Sequence, residues 1–264
     1  MQVIGLIAAF FIGLSLGLIG GGGSILTMPV LVYLFGISPL VATSYSLFVV
    51  GSTSLVGMFS SMRKGLIDFN TAILFGVSSV ITVYVTRKFI LPILPTNFVI
   101  GSYSISISIV TMVLFAILML VASLSMILRK EETLKTAKNK SIFSILLYGV
   151  GIGLITGFLG AGGGFLLIPA LVLLLQLPMK KAIGTSLLII ALNSLVGFIG
   201  DAGHFEMNYK LLFSISAIAI AGVLIGGMIG KKIHPVKLKK GFGWFVLIMG
   251  IYIIVKEVFL IRNS

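Results

Sequence analysis

Cysteine is absent from the 264 residues, and charge is scarce: 9% of the chain is Asp, Glu, Lys or Arg, against roughly a quarter in an ordinary soluble domain. Without cysteine there can be no disulfide, no thiolate metal site and no cysteine nucleophile. Too few charges remain to cover a water-facing surface. A His-Glu-x-x-His, a Gly-x-Ser-x-Gly and a Walker A sequence are also missing, so neither hydrolytic nor ATP-driven chemistry has a visible apparatus. No enzyme activity and no cofactor are expected. The start, Met1-Gln2-Val3-Ile4, lacks the basic stretch of a cleavable signal, and the first apolar run is expected to stay in the mature protein.

What the chain does hold is apolar: 58% hydrophobic residues and a mean hydropathy of +1.24. The apolar residues come in runs of about 20, the length that crosses a hydrocarbon core of roughly 30 Å as a helix. The formal charge of +13 does not point to nucleic acid, because the Lys and Arg lie between apolar runs with no basic, aromatic-bearing domain. They read as topology signals and contacts to anionic headgroups. The lipid bilayer is the expected partner.

Shifted by 140 residues, the sequence matches itself. Gly13-Leu14, Gly17, Gly20, Gly22-Gly23 and Pro29 fall on Gly153-Leu154, Gly157, Gly160, Gly162-Gly163 and Pro169. Ser54-Leu55-Val56-Gly57 falls on Ser194-Leu195-Val196-Gly197, and Pro95 on Pro235. Over residues 13–57 the identity is roughly 40%, which marks an internal duplication. The first repeat is expected over 1–128, a basic cytoplasmic linker over 129–141 and the second repeat over 142–264.

Each repeat predicts five apolar segments: 2–19, 25–36, 39–60, 69–92 and 98–128, then 142–159, 165–177, 179–200, 209–230 and 240–262. The second member of each set is too short to cross, reaching about 18–20 Å as a helix. A broken, re-entrant helix is the natural form. If segment 25–36 continued the first crossing, the 19 Lys and Arg would divide ten against nine. If the first two segments form a hairpin, fourteen collect on one side and only Arg87, Lys88, Lys210, Lys256 and Arg262 on the other. The positive-inside rule favours the second arrangement, with both termini outside a multi-pass cell-membrane protein. The predicted fold is therefore an all-α polytopic membrane protein of two inverted repeats, each a glycine-rich broken-helix hairpin followed by three transmembrane helices.

The breaks read Gly20-Gly21-Gly22-Gly23-Ser24 and Gly160-Ala161-Gly162-Gly163-Gly164. Glycine bares backbone N–H groups and allows close approach, and a helix starting after the break turns its positive end toward it. A small anion is the natural occupant. Inversion would bring the two tips together near the midplane. Ser24, Thr43, Ser44, Ser46, Thr53 and Ser54 in one half, with Thr185, Ser186, Asn193 and Ser194 in the other, supply further donors, and no Lys or Arg is expected mid-segment. The same glycines also suit plain helix packing, as in Gly13-x-x-x-Gly17, and a buried Ser or Thr often bonds its own helix.

The paired glycine-proline signatures, Ala182-Ile183-Gly184-Thr185-Ser186, Asn193-Ser194-Leu195-Val196-Gly197 and Arg63-Lys64-Gly65-Leu66-Ile67-Asp68-Phe69 together resemble the TauE/SafE sulfite exporter family, also described as 4-toluene sulfonate uptake permeases. The first half carries Ser44-Tyr45-Ser46 where the second has Gly184-Thr185-Ser186. The resemblance spans nearly the whole chain and implies a prokaryotic-type permease for sulfite, sulfonates or related sulfur oxyanions, with export favoured.

Asp68, Asp201 and His204, with Glu206 nearby, are the few groups able to couple transport to protons; they equally suit ordinary interfacial positions. Lys180 and Lys181 stand where they would draw anions to the cytoplasmic mouth or simply set topology. A channel of the same architecture would share the repeats and the polar midplane, and differs from a carrier in lacking alternating closure.

Overall fold

The computed structural model describes every residue except 1, 96, 101–102, 129–140, 161, 202, 230–234 and 264. The chain folds into helices α1 (Gln2–Ile19), α2 (Thr27–Tyr33), α3 (Pro39–Arg63) and α4 (Phe69–Ile93), then α5 (Ile107–Leu128), α6 (Ile142–Leu159) and α7 (Gly164–Leu173), and finally α8 (Met179–Gly200), α9 (Tyr209–Ile229) and α10 (Pro235–Asn263). Among the described residues six helices, α3, α4, α5, α6, α8 and α9, are long and apolar enough to cross a membrane. Under the 140-residue shift α1 answers to α6, α3 to α8 and α4 to α9, and α5 overlaps the later part of the longer α10.

Local chemistry sets the helix ends. Pro39 opens α3 at a first-turn position, where its missing N–H is harmless. Asp68 caps α4 by accepting from the Thr71 N–H at 2.9 Å, and Asn208 does the same 140 residues on, accepting from Leu211 at 3.1 Å. The two caps are braced alike. The Asp68 N–H donates to Thr185 Oγ1 (2.9 Å), and the Asn208 N–H donates to the Tyr45 hydroxyl (2.6 Å).

The expected single segment 98–128 is instead two strands, β1 (Asn97–Ile100) and β2 (Tyr103–Ser106), followed by α5. They pair antiparallel, with Phe98 opposite Ile105 and Ile100 opposite Tyr103. Thirty-one residues exceed the ~20 that a crossing needs, and Tyr103-Ser104-Ile105-Ser106 alternates with the period of a strand. The expected linker 129–141 lies, apart from Ser141, outside the described residues.

Packing follows the duplication. α1 packs on α9 and α6 on α4, so each broken helix is sheltered by the other half. The glycines make this possible: a Cβ at Gly13 would overlap the Ala219 carbonyl, and one at Gly222 would overlap Phe10 O and lie 2.8 Å from Leu14 N. α3 crosses its own counterpart α8, and α5 crosses α10. Both of these pairs run antiparallel, since Gly51 meets Leu195 while Gly57 meets Leu187, and Gly243 meets Met126 while Gly250 meets Met119.

The surface is apolar and the interior partly polar, as a bilayer solvent demands. On α4, Ile73, Val77 and Ile81 face outward, while Phe75, Ser79 and Val83 are buried. Thr43, Ser44, Ser46, Thr53, Ser54, Asn193 and Ser194 are all fully buried on α3 and α8.

Leucine at Gly222 should force α1 from α9. Overpacking of this kind costs about 1–3 kcal/mol, and we expect a lower melting temperature and less monodisperse protein by size-exclusion chromatography. Leucine at Gly227, where a Cβ would meet nothing, should leave both unchanged.

Candidate functional site

α6 ends at Gly160, whose φ of 65° is left-handed, and α7 starts at Gly164 after Gly162 and Gly163 at φ 66° and 68°. Three left-handed residues within four positions reverse the chain inside the bundle, and glycine adopts them without a Cβ penalty. In the first half Gly20, at φ 81°, precedes a 3₁₀ turn over Gly21–Leu26 that runs into α2. That turn packs on α7, bringing Ile25, Leu26 and Met28 into one apolar cluster with Phe165. The 3₁₀ turn and α7 meet through apolar side chains, where the sequence predicts a polar junction of the two breaks.

The two breaks face unlike surroundings. A Cβ at Gly20 would lie 2.7 Å from Ile183 Cγ2, with Ile168 beyond. A Cβ at Gly160 would overlap Thr43 and lie 2.5 Å from Arg87 Nη2. Thr43 and Ile183 occupy equivalent positions in the duplication, and so do Ser44 and Gly184, Arg87 and Gly227, Asp201 and Ser61. The scaffold is duplicated; among the described residues the buried ion pair stands at the second break.

Arg87 corrects the expectation that no basic residue lies within a segment. It is fully buried, inside the π turn Thr86–Ile90 of α4. Its Nη1 donates to Asp201 Oδ2 at 3.0 Å and to Thr43 Oγ1 at 2.8 Å. Asp201, which closes α8 as its C-cap, also accepts from the Ser44 hydroxyl. Arg87 Nε and Nη2 and Asp201 Oδ1 have no hydrogen-bond partner among the described residues. A buried guanidinium with donors to spare is costly unless something accepts from them. The sequence did carry a signal: Arg87 lies five residues inside the expected apolar segment 69–92, opposite a glycine in the other repeat.

A cavity of about 230 Å³ reaches this group, lined by Leu40, Arg87, Leu91, Pro92, Leu94, Ile107, Asp201, His204 and Phe205. These residues come from the start of α3 and α5 and the end of α4 and α8, so the cavity opens at one end of the bundle. His204 is exposed there, and its N–H donates to the Asp201 carbonyl at 3.0 Å.

The other expected residues divide. A Cβ at Gly162 would come 2.5 Å from Val50 and 2.9 Å from Ser194 Oγ; Ser46, Ser54 and Ser194 hydroxyls and Asn193 Oδ1 are buried without a partner among the described residues. Asn193 Nδ2 donates to Ser79 Oγ at 2.7 Å. Gly163 packs on Thr156, and Gly23 on the α1 backbone at Leu16. Gly21, Gly22 and the buried Ser24 lie in the 3₁₀ turn. Thr185 and Asp68 stand at the opposite end of α8, joined in the helix cap described above, and Ser186 donates to Ile183 O at 2.9 Å. Lys180 and Lys181 are exposed at the same end.

Residues 5–253 match the family described as Sulfite exporter TauE/SafE. A relative named "Probable membrane transporter protein" in Xylella fastidiosa is 26% identical, with 92% of this chain and 91% of the relative aligned. "Probable membrane transporter protein YunE" of Bacillus subtilis is 29% identical over 89% of this chain and 87% of its own length. A further "Probable membrane transporter protein" of Methanocaldococcus jannaschii is 26% identical, with 94% of both chains aligned. No solved structure matches significantly.

Removing one member of a buried ion pair strands the other. Asp201→Leu alone should destabilise the protein by about 3–5 kcal/mol, whereas the double change Arg87→Met with Asp201→Leu should recover most of that. Thermal unfolding of the four proteins in one detergent measures the coupling; additive losses would mean the pair contributes nothing as a pair.

Proposed function

Because the chain belongs to the sulfite exporter TauE/SafE family of membrane transporters, we propose that it is a secondary carrier for a small sulfur oxyanion, sulfite or a sulfonate, which it holds at the Gly160 break against Arg87. One observation carries this: the Arg87 guanidinium is buried beside Gly160, with Nε and Nη2 lacking any partner in the described protein. Two guanidinium N–H groups in a fixed fork match two oxygens of a planar or pyramidal oxyanion. The glycines leave room for the anion to approach backbone. Thr43 Oγ1, accepting from Arg87 Nη1, and the Ser44 hydroxyl, donating to Asp201, hold the pair in place beside the anion.

The pairing with Asp201 suits a transported rather than a trapped ion. An unpaired buried arginine would hold an anion too firmly to release it; Asp201 returns to the guanidinium as the anion leaves. The buried hydroxyls of Ser46, Ser54 and Ser194 and the Asn193 carbonyl continue a polar track along α3 and α8 toward the other end. At that end the Gly20 break is closed by Ile183 and Ile168.

Alternating access needs two states related by exchange of the two halves. The antiparallel crossings of α3 with α8 and of α5 with α10 support an inverted pair of repeats: had each break merely continued a crossing, these counterparts would run parallel. The fourteen-to-five division of basic residues supports both termini lying outside the cell membrane. The cavity at Arg87 then opens outward, the side to which an exporter delivers its anion. Repeats 1–128 and 142–264 are the two bodies that rock.

Uptake of radiolabelled sulfite into proteoliposomes tests this, with sulfate, thiosulfate and small sulfonates as competitors. Saturable uptake is expected from the native protein. Arg87→Gln should lower it by about 30-fold or more, equivalent to roughly 2 kcal/mol of lost binding. Valine at Gly160 or Gly162 should abolish it, while Gly151→Val, which meets nothing, should not. Native rates in the Gly160 and Arg87 variants would remove this break from the mechanism.

A further inference from the structure

Arg87 and Asp201 neutralise each other across 3.0 Å, with side chains 0% and 1% exposed. An anion arriving at Nε and Nη2 turns this neutral buried pair into a site of net charge −1. Away from water, such uncompensated charge is strongly disfavoured. Few groups nearby can offset it. α4 offers Arg87, already counted, Tyr84, which packs on Gly200, and the half-buried Lys88, which is not among the residues lining the cavity. α3 presents only the hydroxyls of Thr43 and Ser44, α5 presents Ile107, and the α6–α7 break presents the backbone of Gly160. The segment after α8 adds His204, exposed at the cavity's mouth. That leaves Asp201 itself, which lines the cavity and has one carboxylate oxygen, Oδ1, without a partner among the described residues.

We infer that anion binding at Arg87 is accompanied by protonation of Asp201, so that the protein carries one proton with each monovalent anion; this rests on the anion site proposed above. The proton comes from the bulk solvent, supplied by hydronium or the buffer acid, and goes to Oδ1, and no bond within the anion changes. Protonation weakens the hold of Oδ2 on Nη1 and frees the guanidinium for the anion. On release the order reverses: the anion departs, Asp201 ionises, and the pair re-forms. Anion and proton each favour the other's binding by the same factor, as linkage requires. A single shared proton makes the apparent affinity fall by up to about tenfold per pH unit above the range in which Asp201 titrates.

Proton uptake on binding is measured directly by calorimetric titration of the purified native protein in buffers of different protonation enthalpy. The probes are sulfite and methanesulfonate, the latter chosen because its own charge is constant near neutral pH. One proton taken up per methanesulfonate or, after correction for its own ionisation, per sulfite is the expected result. Binding without proton uptake overturns the coupling and leaves the anion site standing. Failure of both anions to bind overturns the site and the coupling together. In proteoliposomes, Asp201→Asn should lose accumulation driven by a pH gradient while His204→Gln keeps it. The reverse pattern would move the proton to His204 and defeat the assignment. Should Asp201→Asn not fold, the native titration decides alone.

Discussion

Arg87 and Asp201 share one buried hydrogen bond of 3.0 Å, and it draws together the end of α4, the end of α8, the first turns of α3 and the Gly160 break. A bilayer gives such a pair no water to fall back on, so its geometry dictates what surrounds it. Thr43 and Ser44 take up part of the pair's hydrogen-bonding capacity. The π turn at Thr86–Ile90 sets Arg87 in the bundle's interior, and Gly160 lets the α6 terminus come against the guanidinium, where any side chain would collide. The capacity left over on Arg87 is what the proposed anion would take up.

The duplication and the site pull in different directions. Backbone shape is kept in both halves: two broken helices, each clamped by glycines into the other half, and two caps braced by a hydroxyl at equivalent positions. The buried charged pair stands at one break only, its arginine from the first repeat and its aspartate from the second. Where the second break meets Thr43 and Arg87, the first meets Ile183 and Ile168. A symmetric frame permits two alternate states of similar energy, whereas a single charged site gives each state a different relation to the anion. That combination fits the proposed carrier, whose two states would hold the anion differently.

Much of the frame was legible in the sequence, because periodicity and length act locally. Segments 142–159 and 179–200 are α6 and α8 to the residue, and the short second segment of each repeat is the broken helix anticipated from its length. Strands β1 and β2 escaped notice because their alternation sits inside a long apolar run. The site was only half legible. Glycine runs are visible as such, but the partners of Arg87 and Asp201 are 114 residues apart, and beside Lys88 the arginine reads as a terminal topology charge. Asp201 stood among the candidates without its counter-ion. The repeats were compared for likeness, while the function lay in their differences: Thr43 against Ile183, Arg87 against Gly227, Asp201 against Ser61. Thr185 and Asp68 looked like site residues because hydroxyl and carboxylate suit both a ligand and a helix cap, and only tertiary contact separates the two roles.

The most direct measurement is the position of the anion itself, obtained by determining the structure with selenite, a heavier analogue of sulfite whose selenium is located by its anomalous scattering. The account predicts a selenium peak beside Gly160, with its oxygens in hydrogen-bonding reach of Arg87 Nη2 and Nε. A peak at the Gly20 break, or at the exposed lysines at the start of α8 with none at Arg87, would contradict it.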